Sequence, residues 1–82
     1  MTKSLHTIEY EHFRSMMILA REKSGLTQKD VASSLNRPQS FVSKYECGER
    51  RLDVVEFIQI CIVLGVDPRP IIIEVQNKII KE

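Results

Sequence analysis

No stretch of this 82-residue chain stays apolar over the ~20 residues that a membrane-spanning helix needs. The opening MTKSLHTIEYEHF lacks the apolar centre of a secretory signal. Both absences point to the cytoplasm, or to the nucleus if the source is eukaryotic. Cysteine is scarce: Cys47 and Cys61 are the only two, without metal-ligand spacing. Cys61 lies in an apolar run and reads as a small buried hydrophobe, and both thiols are expected to be reduced. An excess of one charge sign is missing too. The formal net charge is +1, so overall basicity says nothing about a polyanionic partner. His6 and His12 belong to no serine, cysteine or aspartate constellation, and no glycine-rich phosphate loop is present. Catalysis, a metal, a cofactor and a small-molecule ligand are not expected.

What is present is ordinary globular material, 43 % hydrophobic and 28 % charged. The length suits one domain over residues 1–82. A chain this short buries only roughly 60 % of its unfolded surface, so its stability margin is thin and self-association is a common supplement. Charge is unevenly placed. Residues 14–51 hold eight basic side chains against four acidic ones, and the remainder holds four against seven. Positive charge is thus gathered in the middle of the chain.

The pattern predicts five short helices and no strands. Residues 1–7 are polar, without period, and expected to fray. A first helix runs from Ile8 or Glu9 to about Lys23, with acidic residues in its first turn and Arg21 and Lys23 in its last. Phe13, Met16, Met17 and Ala20 form its core stripe. Thr27 and Asp30 open a second helix over Gln28–Leu35, and Asn36-Arg37-Pro38 turns the chain. A third helix runs from about Gln39 to Glu46 or Cys47, stopped by Gly48. Asp53 and Glu56 form a capping pattern for a fourth, ending at Leu64. This fourth helix is apolar on nearly every side and is therefore expected to be the central core helix. The β-branched IIIEV would suit a strand, but no partner strand is visible, so residues 68–81 are read as a fifth helix.

The organising stretch is LTQKDVASSLNRPQSFVSKYEC, residues 26–47. Two short helices joined by a tight turn, the second carrying polar side chains at i, i+3, i+4, have the form of a helix-turn-helix. With its flanks, GLTQKDVASSLNRPQSFVSKYECGERRLDVVEFIQICIVLGVD resembles the Cro and phage-repressor type, the xenobiotic-response-element (XRE) family. The resemblance covers roughly residues 10–75. It implies a five-helix, lambda-repressor-like, all-α DNA-binding domain with the helix-turn-helix at helices two and three. It further implies a small bacterial or phage transcriptional regulator, repressor-like, that binds double-stranded DNA.

On that reading the recognition helix enters the major groove, and its N-terminal residues read bases. Gln39, Ser40, Ser43 and Lys44 are the candidates: Gln39 for adenine, Lys44 for guanine or a phosphate, the serines for bases or backbone. Phe41 faces either a thymine methyl or the core. Gln28, Lys29, Arg37, Arg50 and Arg51 are candidate phosphate contacts, and Gln28 can also brace the neighbouring helix. The resemblance pairs Arg21 with Glu46 in a partly buried ion pair. Asn36-Arg37-Pro38 departs from the family, where a glycine and a small apolar residue are usual.

Ile71, Ile72, Val75, Ile79 and Ile80 exceed what a small core absorbs. They point to a homodimer interface on the last helix, which would suit a palindromic operator. The alternative is a protein-interaction module on the same fold, such as an antitoxin or adaptor subunit. Within the DNA-binding class a phage-type repressor, an antitoxin and a restriction–modification controller all remain open.

Overall fold

The computed structural model describes residues 7–81. Five helices follow in order: α1 (Ile8–Ser24), α2 (Gln28–Leu35), α3 (Gln39–Cys47), α4 (Val54–Leu64) and α5 (Pro68–Lys81). No strand occurs among the described residues, and none of these helices is long and apolar enough to cross a membrane. IIIEV is therefore helical.

Local chemistry sets the helix ends. In α2 the Thr27 hydroxyl accepts from the Asp30 N–H at 3.0 Å, and the Asp30 carboxylate accepts from the Thr27 N–H at 2.9 Å. The same reciprocal box opens α4, between Asp53 and Glu56. Asn36 ends α2 in the left-handed region, φ 60, a conformation asparagine tolerates better than most side chains. Gly48 ends α3 at φ 87, and a Cβ there would also meet the Arg14 guanidinium at 3.4 Å.

One expectation for the N-terminus needs correcting. Residues 1–6, with His6, lie outside the described residues, but Thr7 is the N-cap of α1 and accepts from the Tyr10 N–H. A hydroxyl one residue ahead of a helix satisfies an N–H that would otherwise have no partner.

The core is built by Met17 of α1, Val31 and Ala32 of α2, Phe41, Val42 and Tyr45 of α3, and Phe57, Ile60, Cys61 and Leu64 of α4. Burial pushes the Cys61 thiol up to about 11, so it stays neutral. α4 is not buried all round, contrary to expectation. Val54, Val55, Ile58 and Ile62 lie on its outer side, with Ile62 72 % exposed. The helix buries one face in its own core and presents a second apolar face to solvent.

The last helix packs mainly on α1. None of its residues is fully buried. Ile71 rests against the core, whereas Ile72, Ile73, Ile79 and Ile80 are exposed. His12 of α1 meets Glu74 of α5 at 3.3 Å across this contact.

Candidate nucleic-acid interface

Advancing about 100° per residue, α3 divides into two arcs. Gln39, Ser43, Cys47, Ser40 and Lys44 follow one another around roughly 140° of the helix, and all five are exposed. Phe41, Tyr45, Val42 and Glu46 fill the opposite side and are buried. Phe41 thus faces inward, with its ring 5.4 Å from that of Tyr45. The four candidate base-reading residues share one continuous surface, joined by Cys47, which the sequence reading had not placed there.

A buried carboxylate borders each edge of this surface or lies beside the residue that does. Glu46 adjoins the Gln39 edge and is 5 % exposed. Arg21 donates to it twice, from Nε at 2.7 Å and Nη2 at 3.1 Å. Gln28 adds an Nε2 donor at 2.9 Å. The remaining Arg21 Nη1 donates to the Leu26 carbonyl at 2.9 Å. Arg14 also donates to the Glu46 backbone carbonyl and to Glu11. The hydrogen bond to Glu46 raises the Arg21 pKa above its ordinary value, outweighing desolvation. Burial likewise pushes the neighbouring Tyr45 hydroxyl up. α1, α2 and α3 are thereby locked in one register, and Gln28 faces this lock.

At the other edge Phe41 adjoins Lys44, and two guanidinium groups lie over its ring. Arg37 is 4.1 Å from the ring centroid and Arg50 4.9 Å. Both donate to Glu56: Arg37 Nη2 at 3.1 Å, Arg50 Nη1 at 3.1 Å and Arg50 Nη2 at 3.3 Å. Desolvation pushes the Glu56 carboxyl upward. The Asp53 N–H and the Arg50 and Arg37 donors outweigh this, so its pKa sits below the usual value.

A helix-turn-helix profile matches residues 17–71, about two-thirds of the chain. An XRE-family-like protein from Pseudomonas syringae is 43 % identical, with 85 % of each chain covered and a TM-score of 0.80. The chain belongs to the XRE-type helix-turn-helix family. Members of this family are DNA-binding transcription regulators. Two more distant structures share the fold. The restriction–modification controller protein C.Esp1396I is 20 % identical, with TM-score 0.76 over 92 % of this chain and 99 % of its own. The clp gene regulator ClgR of C. glutamicum is 18 % identical, with TM-score 0.75 over 89 % and 95 %. No curated protein sequence matches this chain.

The remaining candidate residues of this XRE-type domain are distributed as follows. Lys29 is exposed on α2, close enough to Asp30 to help hold that carboxyl below its usual pKa, behind the larger effect of the Thr27 hydrogen bonds. The Arg51 guanidinium lies 4.4 Å from the Tyr10 ring centroid, and its residue is exposed. On the far side, Ile71, Ile72, Val75 and Ile79 join Tyr10, Phe13 and other residues around an open groove of about 610 Å³. Sequence reasoning missed Arg14 and the second role of Glu56. The capping pattern at Glu56 was visible, but its arginine partners lie six and nineteen positions away.

Proposed function

We propose that this chain is a repressor-like regulator that binds specific double-stranded DNA as a homodimer, with α3 in the major groove. The observation that carries the reading is the undivided exposed arc of Gln39, Ser40, Ser43 and Lys44 on a helix whose other side is locked in place. A rigid helix holds its side chains in a fixed geometry, which base-edge hydrogen bonding requires. Gln39 is suited to adenine, and Lys44 to guanine or a phosphate. Gln28 uses one amide N–H on Glu46 and keeps a second for a DNA phosphate. Lys29, Arg37, Arg50 and Arg51 add backbone contacts. Pairing through α5, by Ile72, Val75 and Ile79 with Ile71 beneath them, would place two recognition helices about one DNA turn apart, ~34 Å. The exposed isoleucines of α5 favour such pairing.

Salt dependence tests the DNA reading. The logarithm of duplex affinity should fall linearly with log[salt], with a slope of ~0.9 per neutralised phosphate. Absence of duplex binding at low salt would contradict it and favour a protein-binding adaptor.

A further inference from the structure

Glu56 does more than cap a helix. Its Oε1 accepts from the Asp53 N–H at 3.0 Å, closing the capping box of α4. The same carboxylate takes Arg37 from the turn before α3 and Arg50 from the loop after it. Both guanidinium groups lie over Phe41, which belongs to α3 itself. Residues from both ends of the recognition helix are thus drawn to one point beside it, next to Lys44. The three side chains differ in exposure. Glu56 is 11 % exposed, whereas Arg37 and Arg50 are 41 % and 37 %. The anion is therefore inside, and the cations keep outward N–H groups. An arginine has five N–H donors, and Glu56 takes one from Arg37 and two from Arg50. Two cations on one anion leave a net positive charge at this edge.

We propose that Glu56 is a positioning residue for DNA binding, holding Arg37 and Arg50 on the Phe41 ring as one preformed phosphate-gripping edge. This rests on the assignment of α3 as the DNA-reading helix. Two long side chains that are ordered before binding lose little freedom when a phosphate arrives. The anion that orders them is close to the core, where it orients the guanidinium planes without occupying their outward donors.

The test is duplex binding by Glu56→Gln, Arg37→Met and Arg50→Met, each checked for folding by its thermal melt. Glutamine keeps an acceptor for the Asp53 N–H, so the α4 cap survives while the charge is lost. Glu56→Gln should weaken binding roughly tenfold, the order expected for releasing two rotamer-rich side chains, although the protein has become more positive. Each methionine variant should lower the slope of log affinity against log[salt] by ~0.9, uniformly across sequences. Tighter binding by Glu56→Gln would make Glu56 a mere screening charge and overturn the proposal. Unchanged salt slopes in both arginine variants would overturn it even if Glu56→Gln failed to fold. A wild-type chain that binds no duplex would end the DNA reading itself, and this inference with it.

Discussion

The helix-turn-helix region and the two C-terminal helices treat apolar side chains in opposite ways. Between Leu26 and Leu52 no large apolar residue is exposed among the described residues, and the surface of α3 is polar. In α4 and α5 eight are exposed: Val54, Val55, Ile58, Ile62, Ile72, Ile73, Ile79 and Ile80. The helix-turn-helix buries its apolar side chains in the core it shares with α1 and α4 and offers hydrogen-bonding groups at its surface. The C-terminal helices leave apolar area that burial would stabilise by about 25 cal/mol per Å². An 82-residue domain has little margin to leave that area wet. The division underlies the proposal of a reader on one side and a self-pairing surface on the other.

Breaking the reader's internal lock should have the largest effect. Glu46→Ala leaves the Arg21 guanidinium without its carboxylate in a site where its side chain is only 15 % exposed. The expected loss is on the order of 3–5 kcal/mol of folding free energy, read from urea or thermal unfolding. An unfolding midpoint equal to wild type would remove the lock from the scheme.

The C-terminal helices should respond differently. Ile72→Asp combined with Ile79→Asp alters exposed positions, so unfolding of the single chain should shift by no more than ~0.5 kcal/mol per site. Sedimentation should move to the monomer, and affinity for a two-half-site duplex should fall by about 10²-fold as avidity is lost. Unfolding of the chain would instead mean that α5 is needed for the core. At the reading surface the effect is smaller. Lys44→Ala should cost ~1–3 kcal/mol and relax one base position if the side chain reads a base. Uniform weakening across sequences would reassign it to phosphate.

Acid gives the mildest perturbation and sharpens the electrostatic side of the comparison. The Glu56 and Asp30 carboxyls sit below their ordinary pKa values in the folded chain. A depressed folded value contributes stability above the unfolded pKa, and that stability is lost as pH falls through the folded value. Unfolding free energy should therefore decline below about pH 4.5, near the unfolded carboxyl value, and the decline should be shallower in Glu56→Gln.

The helices were legible because their signals are local. Thr27 with Asp30, Asp53 with Glu56, and the glycines after α1, α3 and α4 lie within a few residues of the ends they define. The two-sided apolarity of α4 was visible but ambiguous. VVEFIQICIVL reads the same whether both faces meet the chain's own core or one meets another molecule. The orientation of Phe41 was undecidable from its own neighbours, because it is set by how α3 seats in a core shared with α1, α2 and α4. Arg14 was passed over for a similar reason: its carbonyl partner is 32 residues away. Non-local polar contacts leave no periodic trace, whereas caps and core stripes do.

Selection of bound duplexes from a random pool, followed by the mass of the complex on the winning sequence, probes both regions at once. The expected result is an inverted repeat with half-sites centred about 10 bp apart, carrying two chains per duplex. A single half-site bound by one chain, or no enrichment above the starting pool, would contradict the division into a reading region and a pairing region.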